Sequence, residues 1–248
     1  VWCHSGLSPR AARQGGALRL RHGVIADKVV DRLILQGRMP NVLAGLLTAL
    51  CLKVDFSANR QSRPWKNVKR LLSHEYLKNV CGVTGARHVF EELETLLARE
   101  PHYWLQRSCL EIECGDAQQG ELFVNQAYGL APNDAFVRVE RAYAWLKKAI
   151  SAPHAVGADE RVRNALDELQ DLIQARGRFD SYPYHVIGSQ VLAWTRVAGL
   201  APVNRLSLLA LAEQEVTNGL KIHPRNRDLQ TLQQDLVRER VAVAVGLS

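Results

Sequence analysis

The residues of this sequence that could carry catalysis or bind a metal are scattered, and their spacing favours structural roles. The eight histidines form no H-E-x-x-H and no H-x-x-x-H motif. Gly188-Ser189 lacks the G-x-S-x-G frame of a nucleophile elbow. The sequence indicates no second pair of carboxylates facing Glu91 and Glu92, so we interpret these two residues as part of a solvated helix face. We therefore predict no enzyme activity, no metal site and no cofactor for this chain.

The five cysteines also lack the spacing of a zinc site or a disulfide framework. Their number is odd and they include no C-x-x-C pair. Cys109 and Cys114 are five positions apart, within or at the end of one predicted helix, and this spacing suits a zinc site poorly. We expect reduced, packed thiols and a cytoplasmic protein. No apolar run reaches the roughly 18 residues of a membrane span, and no signal peptide is evident.

Basic residues are concentrated in the first third of the chain. Residues 1–78 carry 14 Lys or Arg against 4 Asp or Glu, whereas the other 170 residues carry 18 against 21. Such a field favours polyanions, although a solvated face or a contact with an acidic neighbouring domain would give the same pattern. The candidate partner-binding residues of this region are Arg60, Arg63, Lys66, Lys69 and Arg70.

Trp65 lies within this basic segment and has two interpretations. Its ring can stack on a base, or it can anchor a helix through Val68 and Leu72. Lys66, Lys69 and Arg70 fall on one helical face. If they contacted only phosphates, binding would depend on salt and would not select a nucleotide sequence. We favour the anchor.

His185 is the best histidine candidate for contact with a partner. It follows Ser181-Tyr182-Pro183-Tyr184 at a predicted helix start, with Gln190 further along the same helix. These residues predict either an N-terminal capping cluster with packed rings or a small polar pocket.

Helical periodicity dominates the elements that must position these residues. Apolar stripes such as Val162, Leu166, Leu169 and Ile173 recur along the chain, and prolines and glycines fall between them. We predict about eleven helices, with a short strand at residues 17–22 as the one alternative. The predicted helices include Leu43–Val54, Trp65–Val80, Ala86–Ala98, His102–Cys114, Gln118–Leu130 and Asp134–Ile150.

One stretch indicates how the helices pair. Small residues at set spacings let two antiparallel helices approach closely, bulky residues fill the gap, and a proline stops the second helix. Such a hairpin cannot bury its own apolar face and needs stacked neighbours. The residues with this spacing are Trp104, Ser108, Gly120, Val124, Ala127 and Pro132.

This spacing resembles the tetratricopeptide repeat, with one good copy and two partial copies over residues 86–150. Arg107 and Glu111 depart from the family's preference for apolar side chains, and Leu105, Cys109 and Ile112 add an apolar stripe on another face. We therefore predict an all-α fold, an irregular stack of antiparallel helical hairpins of the tetratricopeptide-like α-solenoid kind, with this helix buried on two sides.

Further segments look like the C-terminal part of bacterial signal-transduction ATPases with numerous domains, many of which are thought to act in anti-phage defence. The segments are RHGVIADKVVDRLI (21–34), HYWLQRSCLEIECGD (102–116), NDAFVRVERAYAWLKKA (133–149), RGRFDSYPYHVIGSQVLAW (176–194) and GLKIHPRNRDLQTLQQDL (219–236).

The resemblance implies a sensor array that follows a nucleotide-binding module and a winged-helix module. The chain contains no G-x-x-x-x-G-K-[ST] motif and does not begin with Met, so we expect a fragment or a processed chain without the ATPase part. We expect a basic segment at 1–40, the end of a winged-helix module, and a helical repeat domain at 41–248.

The predicted function is a sensor that binds a protein partner and regulates a larger ATPase. The alternative is a nucleic-acid-binding module that uses residues 60–70. We expect no membrane association, and the sequence leaves the oligomeric state open.

Overall fold

The computed structural model describes residues 23–54, 62–176 and 180–246, and all regular elements among them are helices. The chain divides into two compact units, Val1–Ala98 and Arg99–Ser248. The boundary expected near residue 40 falls inside the first unit, at the start of its second helix. The predicted all-α class is confirmed for the described residues, and the alternative strand at 17–22 lies outside them.

The first unit contains α1 (Gly23–Leu35), α2 (Met39–Cys51), α3 (Arg63–Leu71) and α4 (His74–Leu97). Helix α2 packs against α3 and α4, and the side chains between them are buried and apolar. The Ser62 hydroxyl accepts a hydrogen bond from the Trp65 backbone N–H at 3.3 Å and caps α3. The core residues include Leu43, Leu47, Cys51, Val68, Leu72, Leu77, Phe90, Leu93 and Leu97.

Two breaks lie between Arg63 and Leu97, where the sequence predicted one helix at Trp65–Val80 and another at Ala86–Ala98. Helix α3 ends at Leu71, and α4 begins at His74, so the first of these predictions was wrong at Leu72–Ser73. Helix α4 changes direction at Gly82, whose φ of 68° lies in the left-handed region that favours glycine. Burial of Leu72 explains the first break, since its side chain closes the core while the backbone turns.

The second unit contains α5 (Pro101–Glu113), α6 (Ala117–Leu130), α7 (Ala135–Ser151), α8 (Ala158–Arg176), α9 (Tyr182–Val197), α10 (Pro202–Ile222) and α11 (Arg227–Ala244). Each helix packs against the next in sequence. In addition, α7 contacts α5 and α9, and α11 contacts α9. The unit is therefore a stack of three hairpins, α5/α6, α7/α8 and α9/α10, in which the first helices touch one another, and α11 ends the stack.

Side-chain caps fix where several of these helices begin. The Asp116 carboxylate accepts a hydrogen bond from the Gln119 N–H at 2.9 Å, and the Asp134 carboxylate accepts one from the Phe136 N–H at 2.9 Å. Asn226 accepts a hydrogen bond from the backbone at the start of α11. The caps keep the connections short, which places consecutive helices side by side in opposite directions.

Among the described residues, none of the helices taken singly combines the length and the apolar content needed to cross a membrane. The segments Lys28–Leu35 and Met39–Cys51 reach that composition only as a pair, and they are bent by 115°.

Candidate partner-binding surfaces

The basic segment of the first unit is an exposed helix face. Arg63, Lys66, Lys69 and Arg70 are all exposed on α3, and Arg60 lies outside the described residues. Trp65 is only 3% exposed and packs on the opposite side of the helix. The anchor interpretation of this tryptophan is therefore confirmed, because a buried ring cannot stack on a base.

The repeat-like residues form the contact between α5 and α6. Trp104 is 8% exposed, and its ring stacks on Phe123 of α6 with the ring centroids 5.7 Å apart. Tyr103 meets the same indole edge-on at 4.9 Å. The Arg107 guanidinium lies 4.2 Å from the centroid of the Phe123 ring. The predicted place of Trp104 in the core of a hairpin is confirmed.

Small residues bring the two helices together below this aromatic layer. The Ser108 hydroxyl donates a hydrogen bond to the Gly120 carbonyl at 2.7 Å. A methyl group at Gly120 would overlap the buried Ile112 side chain. Val124 and Ala127 are fully buried. Pro132 follows the end of α6, and these residues together build the hairpin.

Helix α5 is buried on more than one side, as its second apolar stripe predicted. Leu105, Cys109 and Ile112 are buried together with Trp104, and even Glu111 is only 4% exposed. The buried positions of the helix therefore extend beyond its contact with α6.

His185 lies half-buried in the first turn of α9. Around it, Asn226 Nδ2 donates a hydrogen bond to Ser181 Oγ at 2.9 Å, and the Tyr182 N–H donates to Asp180 at 3.1 Å. Tyr184 is buried against Gly219 of α10. The packed ring fits the predicted cluster, but the Ser181 side chain makes no capping hydrogen bond to α9, and the polar pocket at His185 stays a prediction.

A second polar cluster, which sequence reasoning missed, joins three helices of the second unit. The Cys109 thiol of α5 donates a hydrogen bond to Glu140 Oε2 of α7 at 3.5 Å. Tyr182 of α9 and Tyr143 of α7 lie close enough to Glu140 for its negative charge to raise the pKa of both phenols. Groups from the first helices of all three hairpins therefore meet at one carboxylate.

The electrostatics of this cluster keep its hydroxyl and thiol groups protonated. Burial, reinforced by the negative charge of Glu140, raises the pKa of Tyr143 to about 12. The same two causes raise the pKa of Tyr182 and the pKa of the Cys109 thiol well above their ordinary values. At neutral pH these groups are hydrogen-bond donors, and the protonated Cys109 is a poor nucleophile.

The cluster belongs to a wider stripe along α7. Phe136, Glu140, Tyr143 and Lys147 recur at helical spacing on one side of the helix, and Phe136 is 62% exposed. We call the surface made by Phe136, Glu140, Tyr143 and Tyr182, with the buried Cys109 thiol that bonds to Glu140, the first-helix face. The signal for it in the sequence was the run of aromatic and charged residues along α7, between positions that the core uses.

Ion pairs on the other side of α7 connect helices α6, α7 and α8. Glu121 of α6 binds both Lys148 of α7 and Arg161 of α8. Glu168 of α8 binds Arg138 of α7 at 2.7 Å. Because each acidic partner here is only 14–15% exposed, water screens these pairs less than ordinary surface pairs.

Arg141 strengthens this joint through its guanidinium. It lies 3.4 Å from the centroid of Tyr128 in α6 and 4.6 Å from that of Trp145 in α7, and its Nη2 reaches Glu168 at 3.5 Å. These contacts link helices to one another, so we assign the charges on this side to stability.

Comparison of the chain with protein-family models, with curated proteins and with solved structures found no match. Functional inference therefore depends on the surfaces described above.

Proposed function

We propose that the second unit is a non-catalytic recognition array that binds a protein partner through the first-helix face. The observation that carries this proposal is the Glu140 carboxylate of α7, which accepts a hydrogen bond from the Cys109 thiol of α5 and lies near Tyr182 of α9. Helical arrays recognise partners through such extended surfaces.

The chemistry of the face suits a protein ligand. The half-exposed Tyr143 and Tyr182 offer apolar rings with polar tips, a combination enriched at interfaces. Phe136 exposes a large apolar ring at the start of the same stripe, and burial on partner binding would remove it from water. Glu140 supplies a negative charge that would favour a basic side chain of the partner.

Site-specific photo-crosslinking in the native cells tests this proposal. The photoreactive residue replaces Phe136 in the full chain, and in the control it replaces Leu122, which is 54% exposed on α6. We expect one protein to be crosslinked at position 136 and not at position 122. The purified partner should then bind Phe136→Ala at least about tenfold more weakly than the unchanged chain, because an exposed anchor is lost.

Two results would count against the proposal. One is equal crosslinking at positions 122 and 136. The other is an affinity that is unchanged by Phe136→Ala and by Glu140→Gln, with thermal melts showing that both variants are folded.

We infer that partner binding is reported to a larger ATPase, in anti-phage defence. The support for this finer proposal is the resemblance of the chain segments to bacterial signal-transduction ATPases. Co-expression with an ATPase module that the chain is found to regulate would test it, since the partner should change the ATPase rate and Phe136→Ala should abolish that change.

Nucleic-acid binding by the first unit is a second candidate, favoured by the exposed basic face of α3. We expect only weak binding that vanishes near physiological salt, because no aromatic ring accompanies the four cations of this helix on its exposed side. Fluorescence anisotropy with single- and double-stranded oligonucleotides over a salt series measures it. If the face does bind duplex, replacing Lys66, Lys69 and Arg70 with Gln should lower the log–log salt slope by roughly three units.

A further inference from the structure

Helices α8 and α10 of the second unit leave an open cleft of about 400 Å³ between them. The cleft exists because α8 meets α9 through a smaller interface than α7 meets α8 or α9 meets α10. Gln170 Nε2 of α8 donates a hydrogen bond to Glu215 of α10 at 3.4 Å and bridges the two helices towards their C-terminal ends. The apolar residues of the cleft are Val162, Leu166, Trp194, Leu200, Leu208 and Leu211.

The rim of the cleft is acidic. Asp159 and Asp167 are exposed along α8, and Arg163 between them is the single basic residue among those that line the cleft. Glu215 adds a further carboxylate beyond Gln170. Glu168 does not contribute to the rim, since its carboxylate is turned towards Arg138 in α7.

The size and lining of the cleft restrict what fits it. Its volume lies within the range of ligand sites, and its floor is formed by aliphatic side chains over a buried tryptophan. Helices α8 and α10 are bridged at Gln170 and Glu215 and leave a groove before that contact. An amphipathic helix can fill such a groove with its apolar side. The acidic rim favours positive charges at the borders of that apolar side.

We propose that the cleft between α8 and α10 binds an amphipathic helix of a protein partner. The helix inserts aliphatic side chains at i, i+3 or i+4, and i+7 between Leu166 and Leu208, and its Lys or Arg residues flank Asp159 and Asp167. This site is separate from the first-helix face, so the proposal does not rest on the function proposed above.

The probe for this proposal is a display library of helical peptides, selected against the full chain. We expect the selected peptides to share the aliphatic spacing and a net positive charge. Leu208→Asp should weaken their binding by at least about thirtyfold, because it places a carboxylate on the apolar floor. The matched control is Leu122→Asp, which changes an exposed leucine of α6 and should leave the affinity unchanged.

A second variant keeps the test valid if Leu208→Asp unfolds. The double substitution Asp159→Lys and Asp167→Lys alters only exposed residues, and it should weaken peptide binding roughly tenfold at low salt. Its control is Glu91→Lys with Glu92→Lys, two exposed carboxylates of α4. Glu140→Gln should leave peptide binding intact, which separates this site from the first-helix face.

Three outcomes would overturn the proposal. In the first, the selected peptides lack the aliphatic spacing or the excess of positive charge. In the second, peptide binding is retained in both the Leu208→Asp variant and the double lysine variant. Finally, light scattering can reveal a dimer of the chain that Leu208→Asp dissociates, which would make a second copy the occupant.

Discussion

The contact between α5 and α6 and the cleft between α8 and α10 show two ways in which helices of one stack meet. At the first contact, Ser108 and Gly120 let the backbones approach until a hydroxyl bonds a carbonyl across the helices. At the second, Leu166 and Leu208 stand on facing helices and the space between them stays open. The size of the side chains at the contact therefore decides whether a neighbouring helix is a structural partner or leaves room for a ligand.

The largest effect is expected at the closed contact. Trp104→Ala removes an indole that packs on Phe123 and Tyr103, and it should cost ~3–5 kcal/mol of unfolding free energy. Urea unfolding of the full chain measures the loss. A cost under ~1 kcal/mol would mean that the aromatic layer does not hold the hairpin.

Two neighbouring leucines of α10 have different surroundings, since Leu209 lies in the core and Leu208 lines the cleft. Leu209 is fully buried, so Leu209→Ala should cost ~2–5 kcal/mol, whereas Leu208→Ala at the cleft should cost less than ~1 kcal/mol. Equal losses in paired unfolding experiments would show that the cleft is closed in solution.

Adding one methyl group at two glycines of α6 tests the closeness of the helices. Gly120→Ala should cost ~1–3 kcal/mol, because the new methyl overlaps Ile112 and lies 3.3 Å from the Ser108 carbonyl oxygen. Gly129→Ala is the control, since that position has open space, and it should raise stability by up to about 1 kcal/mol. Opposite shifts in Tm are expected, and shifts of the same sign would contradict the tight contact.

Ala127→Leu probes the same helix two residues before the control position Gly129. Ala127 is fully buried, so the larger side chain should overpack the core at a cost of ~1–3 kcal/mol. An unchanged melting temperature would mean that the core has room for three more carbons at this position.

The hairpin was predictable from the sequence because its signals are local. The spacing from Trp104 to Pro132 fixes which residues face each other across one turn, and the structure places these residues as expected. Helix ends marked by prolines and caps were equally predictable, as at Pro101 and Asp134.

The remaining features depend on contacts between distant residues or on backbone geometry. Glu140 reaches Tyr182 only because α7 and α9 pack together, and helical periodicity carries no information on that pairing. The cleft depends on the small interface between α8 and α9, and no single residue type in the sequence indicates the size of that interface. The bend at Gly82 falls between the helices predicted at Trp65–Val80 and Ala86–Ala98, whereas the break at Leu72–Ser73 was missed because no proline or glycine marks it.

The pairing of Glu121 with Lys148 and Arg161 has a consequence for how the array opens. In a stack of repeats, stability is approximately a sum of repeat terms and neighbour terms. The term between the first two hairpins contains both ion pairs of Glu121, whereas α10 and α11 are joined by separate ion pairs, Arg205 with Glu239 and Arg240 with Glu213. Glu121→Gln would therefore weaken the first neighbour term and leave the last one unchanged. In hydrogen exchange, this variant should thus release the amides of α5 and α6 faster than the unchanged chain does, while the amides of α10 and α11 keep their rates.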